Sequence, residues 1–312
     1  LKIATPPMGD YTQLISRIGK YLGWDMIVPD KLTSADIEIG AKYMNELMCL
    51  PAKSTLGSLI RSCEKGADVA LVYNSCGQCR LKSYWVLQQR ALRRLGYNVR
   101  VQPITLGLHT PADLRAANPS TSLWRAWHTF IKVLREIWER DKQLWPPVEC
   151  NGQTRIGLTG EIYTLLEPTI NLNLVQRLQR LGAAVHNSLP LSYFVFKKLK
   201  LLLRHPNMDE KILKRAHKIA YTYFPLNDFG GHGRESVIHS IYYALAGYDG
   251  IIHVMPFPCS PEAAVASIID DIGRDFNIPV LRLIFDVQSG EAGLVTRLEA
   301  FCDMLNRRRA RS

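Results

Sequence analysis

Ala70-Leu71-Val72-Tyr73-Asn74-Ser75-Cys76-Gly77-Gln78-Cys79-Arg80 is the stretch whose reading decides the fold. Its uninterrupted apolar start predicts a buried strand from Ala70 to Tyr73, and from Arg80 the pattern becomes that of a helix running to about Leu95, where Gly96 stops it. A strand therefore hands over to a helix across a Cys-x-x-Cys pair. The junction is chemically loaded, because the free N–H groups and positive dipole end of a helix favour thiolate over thiol.

Outward from this junction the same alternation recurs. Lys2-Ile3-Ala4 reads as a strand, Leu14, Ile18 and Leu22 as a helix stopped by Gly23, and Met26-Ile27-Val28 as a second strand. A helix from Asp36 to Leu47 is expected to deliver Cys49 at its end, and Ser54 or Thr55 to cap the next one, through Leu56, Leu59, Ile60 and Cys63. With Val99 to Val101 this makes an α/β sheet of about four strands.

Between Thr110 and Leu144 the texture changes. Leu123, Trp127, Ile131, Leu134 and Trp138 predict one apolar helix face, and Trp145-Pro146-Pro147 ends the segment, which reads as a helical connector. The rhythm then restarts, with strands at Thr154–Leu158, Ala183–Val185, Gly250–Met255 and Pro279–Phe285. The helices between and after them are placed at Asn171–Leu181, Ser192–Tyr223, Glu235–Ala246, Pro261–Phe276 and Leu294–Leu305. The expected organisation is an N-terminal α/β lobe (1–109), a connector (110–150) and a C-terminal α/β lobe (151–312). Each lobe is a doubly wound, mainly parallel sheet.

Composition is that of a soluble globular protein, 47% hydrophobic and 21% charged over 312 residues, with no apolar run long enough for a membrane span and no signal-peptide pattern. The expectation is a cytoplasmic protein, and the start at Leu1 suggests a piece of a longer chain. The net charge of +11 points to an anionic partner. Lys197, Lys198, Lys200, Arg204, Lys211, Lys214, Arg215 and Lys218 form one basic cluster and Arg307, Arg308, Arg309 and Arg311 another. Neither has the aromatic interleaving of a base-stacking surface, which argues against nucleic acid. They read as a solvated helix face and a frayed tail.

Seven cysteines without a secretory signal argue against a disulfide framework. Cys76 and Cys79 follow one strand and Cys259 another, each just before a helix, while Cys49 lies in a Pro-containing loop. If the two halves face one another, the four sulfurs suit a single thiolate-ligated centre, either zinc or an iron–sulfur cluster. Their dispersion over distant loops favours a cluster between domains. A redox dithiol made of Cys76 and Cys79 alone stays open beside it. Cys63 and Cys302 read as packing residues, Cys150 has no assigned role, His232 reads as a turn residue, Glu161 as a capping or surface carboxylate, and Glu262 as a first-turn acid favoured by the helix dipole.

The segments Cys49-Leu50-Pro51-Ala52-Lys53-Ser54-Thr55-Leu56-Gly57, Cys76-Gly77-Gln78-Cys79-Arg80, Gly160-Glu161-Ile162-Tyr163 and Pro256-Phe257-Pro258-Cys259 resemble those of a known superfamily. Together they resemble the 2-hydroxyacyl-CoA dehydratase D-component superfamily, in the branch associated with acyl-CoA dehydratase activases. The stretch from Ser289 to Phe301 is similar to that branch too. The branch usually has a proline where Gln78 stands, an acidic–histidine pair where Val287 and Gln288 stand, and a glycine in the place of Lys82-Ser83.

The resemblance implies two Rossmann-like lobes with a 4Fe-4S cluster, single or double cubane, on Cys49, Cys76, Cys79 and Cys259. It also implies an ATP-hydrolysing activase of the actin and Hsp70 type as electron donor, a companion or identical dehydratase-like subunit, and CoA or another anionic ligand. The function it implies is low-potential electron transfer or reduction, dehydratase-like and anaerobic. The alternatives are a binding or scaffold protein with a structural zinc, and a thiol–disulfide oxidoreductase using Cys76 and Cys79.

Overall fold

The computed structural model of the protein describes residues 1–74, 79–144, 152–198, 205–223 and 231–311. Cys76, Cys150, Trp145-Pro146-Pro147, Lys200, Arg204 and Gly230 lie outside the described residues. The chain begins with β1 (Lys2–Ala4), α1 (Thr12–Leu22), β2 (Asp25–Ile27), α2 (Ser34–Tyr43), α3 (Leu50–Glu64) and β3 (Val69–Asn74). After a short 3-10 helix (Arg80–Ser83) come α4 (Tyr84–Arg94), β4 (Arg100–Thr105), α5 (Thr110–Ala117) and α6 (Leu123–Leu144). Then follow β5 (Arg155–Gly160), α7 (Ile162–Leu166), α8 (Leu174–Arg180), β6 (Ala184–Asn187), α9 (Leu191–Lys198) and α10 (Glu210–Tyr223). The chain closes with α11 (Gly233–Leu245), β7 (Gly250–Pro256), α12 (Ser260–Asp275), β8 (Val280–Phe285) and α13 (Glu291–Arg309).

The fold is α/β, with two four-stranded, all-parallel sheets in the orders β2-β1-β3-β4 and β6-β5-β7-β8. Parallel neighbours require crossovers, which the intervening helices supply, and the order reverses beside β1 and beside β5. That reversal is the Rossmann-like, doubly wound arrangement, in which the strand carboxyl ends form the crevice. Two compact units result. The first comprises Leu1–Asp141 and Leu191–Leu203, the second Lys142–Pro190 and Arg204–Ser312.

In the first unit β3 shows why both sheet faces are covered. Successive side chains point to opposite faces, so Val69 and Leu71 pack with Ile3, Leu114 and Ala126, while Ala70 and Val72 pack with Leu56, Leu59 and Leu92. The stretch expected as a connector therefore contributes α5 and α6 to the cover of the first sheet. α2 and α3 pack through glycines: a Cβ on Gly40 would lie 1.8 Å from the Lys53 carbonyl oxygen and one on Gly57 1.7 Å from that of Asp36. Only glycine permits this approach.

Three local expectations need correction. α2 ends at Tyr43, so Cys49 does not end that helix but caps the start of α3, where Pro51 occupies the first turn. Ser54 and Thr55 are consequently interior residues, and their hydroxyls donate back to the Leu50 and Pro51 carbonyls at 3.1 and 2.6 Å. In α6 the buried stripe is Ala126, Phe130, Val133, Leu134 and Ile137, whereas Leu123, Trp127 and Ile131 are exposed. This helix carries two apolar stripes, and periodicity alone does not rank them.

No described helix is long and apolar enough to cross a membrane.

Candidate functional site

The two described cysteines of the first unit's site loops are held close to each other's elements. Cys49, buried, and Cys79, half-buried, each precede a helix in extended backbone conformation, and neither side chain caps the helix it precedes. Tyr84, the first residue of α4, shares a hydrogen bond of 2.7 Å between its hydroxyl and the Cys49 sulfur. Next to Cys79, the Arg80 guanidinium donates to the Leu47 carbonyl at 2.9 Å. The Cys49 loop and the Cys79 loop are thus stitched together from both sides. Cys49 stands at the N-terminus of a 15-residue α-helix, where negative charge is favoured, and Cys79 before a four-residue 3-10 turn, and two thiols are in kind the donors a thiolate-ligated group takes. Cys76 lies outside the described residues.

In the second unit Cys259 occupies the corresponding place. It follows β7, the counterpart of β3, through a cis Phe257–Pro258 bond, and precedes α12 with Pro261 in the first turn. It is buried and, like the other two, does not cap its helix through its side chain. Among the described residues, no three His, Cys, Asp or Glu side chains gather as a metal-binding group. Cys63 and Cys302 pack in apolar surroundings, as expected, and burial pushes the Cys63 thiol up to about 11 and the Cys302 thiol upward too. They keep their protons at neutral pH.

Sequence reasoning missed a buried polar cluster beside Cys259. Glu262 is the first-turn acid of α12, as expected, and it is fully buried. Its Oε2 shares a 2.8 Å hydrogen bond with Nε2 of His253 on β7 and accepts another, also 2.8 Å, from the Ser236 hydroxyl on α11. Glu262 Oε1, His253 Nδ1 and the hydroxyl of Thr159, which faces His253 across β5 and β7, are buried without a hydrogen-bond partner among the described residues. Ser236 is bonded to the carboxylate rather than to the imidazole, and all three side chains are sealed from solvent, so this is not a nucleophile–base arrangement. No local motif announces it, since its members come from three elements.

Glu161 does cap, accepting from the Tyr163 and Thr164 N–H groups at 3.0 and 2.8 Å. Burial, with a smaller contribution from the charge of Glu262, raises its carboxyl above the usual range. His232 caps α11 in position and is buried. A second missed group is His186, His205 and His239, with ring centroids 6.3 and 5.9 Å apart along the series. Burial holds His186 down at about 4 and His205 at about 3. Asn207 N–H donates to His205 Nδ1 at 3.1 Å, which leaves Nε2–H to donate to the Ser188 carbonyl at 3.0 Å, the bonding of a neutral ring.

The basic clusters divide. Lys211, Lys214, Arg215 and Lys218 form an exposed face of α10 opposite buried Leu213, Ala216 and Ala220, which is a solvated surface. The expected frayed tail is instead helical to Arg309. There, Arg308 donates to the Asn277 carbonyl and Arg309 to that of Gly152, because cations at a helix C-terminus find both the dipole and nearby carbonyls.

No protein-family model matches the chain and no curated protein matches it.

Proposed function

We propose that the chain is an iron–sulfur protein of the 2-hydroxyacyl-CoA dehydratase type, holding a 4Fe-4S cluster on Cys49, Cys76, Cys79 and Cys259. Its role in this reading is low-potential electron transfer or reduction, with an ATP-hydrolysing activase as donor. The observation that carries the reading is the stitching of the Cys49 and Cys79 loops by Tyr84 and Arg80. Cys259 supports it from the corresponding post-strand loop of the second sheet.

When bound, such a cluster supplies one-electron chemistry at a potential set by its ligands, burial and hydrogen bonds to sulfur. The chain's own residues do the rest. Helix N-termini at Cys49 and Cys259 favour the ionised sulfur, and Arg80 adds a fixed positive charge. The Tyr84 hydroxyl orients Cys49 and withdraws charge from its sulfur.

Anaerobic purification with iron, sulfide and zinc analysis tests the reading. Iron and acid-labile sulfide in equal amounts, both lost in Cys49→Ala and Cys79→Ala, are expected. Stoichiometric zinc without sulfide would overturn it in favour of a structural metal. Dithiol activity that survives Cys49→Ala and Cys259→Ala in an iron-free protein would replace it with the thiol–disulfide reading.

A further inference from the structure

α6 has two apolar stripes, and the fold buries only one. Leu123, Trp124, Trp127 and Ile131 are exposed along two turns of the other, Trp124 by 74%. A helix lying on a sheet needs a single apolar stripe. A contiguous exposed patch containing two indoles belongs instead with interaction surfaces, where Trp and Arg dominate the binding energy.

Charge defines what the patch accepts. Arg125, Lys132 and Arg135 are exposed on the same segment, and Arg135 has no carboxylate partner among the described residues. Lys132 lies over the Tyr21 ring, 3.9 Å from its centroid. Glu136 is already answered, by Arg17 at 3.3 Å and by the Tyr21 hydroxyl at 2.5 Å. Glu139 follows one turn beyond Arg135, which leaves the Trp124–Arg135 segment with a cationic excess. Trp124 and His128 stack at 5.6 Å and 18°, and a cleft of about 630 Å³ runs along Trp124, Trp127, His128, Ile131 and Arg135.

We propose that this face of α6 docks an acidic amphipathic helix of a partner protein, its apolar side chains entering between Trp124, Trp127 and Ile131 and its carboxylates meeting Arg125, Lys132 and Arg135. A second copy of the chain is the poorer fit, because a two-fold contact would set the same cations against one another in a protein already at +11. A flat bilayer would leave the cleft unfilled.

The proposal is tested with a labelled synthetic helix of about 18 residues, Leu and Phe at helical spacing and Glu elsewhere, against the same peptide with Lys for Glu. Fluorescence anisotropy on the whole chain should show the acidic peptide binding at least about tenfold more tightly. Trp124→Ala and Arg135→Glu, both at exposed positions, should each weaken it by a similar factor while circular dichroism is unchanged. Equal binding of the two peptides, no binding of the acidic one, or indifference to Trp124→Ala overturns the proposal. So does a dimer dispersed by Trp124→Ala in sedimentation, or pelleting with phosphatidylserine vesicles that Trp124→Ala abolishes. The first would assign the face to a second copy, the second to a membrane.

Discussion

In the first unit β3 carries Val69, Ala70, Leu71 and Val72 into apolar layers on both faces, whereas its counterpart β7 carries His253 among Ile252 and Val254 at an equally central position of the second sheet. The strand order is the same, and the filling is not. Beside β3 an apolar cavity of about 70 Å³ lies between the sheet and its helices, lined by Leu71, Ile104, Phe130, Val133 and Leu191 among others. Beside β7 the space is taken by Glu262, Ser236 and Thr159, and further along by the three histidines. One topology thus accommodates an apolar layer with a cavity and a layer that carries a buried polar cluster, because backbone pairing fixes the sheet while side chains alone decide what lies on it.

The strongest way to break this comparison is to remove one partner of the polar pair. Glu262→Ala should cost about 3–5 kcal/mol, read as a fall in the urea midpoint, because it strands His253 and Ser236 in a sealed site. The double change His253→Leu with Glu262→Leu should cost less than the single, since the Ser236 hydroxyl still loses its acceptor but no buried imidazole is left without its partner. If Glu262→Ala is silent, the second unit does not depend on its polar filling.

Acid provides the next test. His186 and His205 have folded values depressed to about 4 and about 3, so the unfolded chain binds more protons once pH drops below about 6.5. Their contribution is therefore present above pH 6.5 and lost as pH falls toward 4, on the order of 3 kcal/mol for His186 alone. In the first unit the sign is opposite at Asp141. Burial raises this carboxyl, which accepts hydrogen bonds from the Tyr11 hydroxyl and the Ser192 N–H, so the folded state takes up its proton more readily. Glu161, raised by burial, works in the same direction as Asp141 and so opposes the histidines within the second unit. Hydrogen exchange followed peptide by peptide from pH 7 to 4.5 should show β6 and α11 losing protection before β1 and β3. The reverse order would contradict the assignment.

The smallest expected effects sharpen the contrast in packing. Val133→Ile adds one methylene beside the cavity and should stabilise by about 0.5–1 kcal/mol. Val254→Ile adds the same group to fully buried β7 and should destabilise by about 1–3 kcal/mol. Thermal denaturation of the two variants decides it, and equal signs would mean that the layers are filled alike.

Much of this architecture was legible along the chain. β3 begins as an uninterrupted apolar run, β7 is apolar but for His253, and Pro261 just after Cys259 marks a helix start, so the alternation of strands and helices follows from local pattern. What escaped depends on partners far away in sequence. Glu262 carries the signal of a first-turn acid, and only His253 and Ser236, on two other elements, make it a core residue. Ser54 and Thr55 look like caps, but Pro51 can start a helix as well as follow one. The exposed stripe of α6 has the same helical spacing as the buried one, and the choice between them is made by the sheet beneath. Of the proposed site, Cys79 and Cys259 were legible as loop cysteines before helices, whereas Cys49 reads as the end of the wrong helix and the roles of Tyr84 and Arg80 were not legible.

The path of the chain has a consequence for how the protein is made. α9 belongs to the first unit, where Leu191 and Val195 close the cavity, yet it emerges from the ribosome only after β5 and β6 of the second. The first unit cannot finish before half of the second sheet has been synthesised, and that half must wait in turn for β7 and β8. Neither unit is a contiguous segment that could be expressed whole by cutting the chain once. Pausing or truncation between Pro190 and α10 would leave the second sheet half made beside a complete first one, a state in which β5 and β6 expose parallel edges to the holding machinery of the cell.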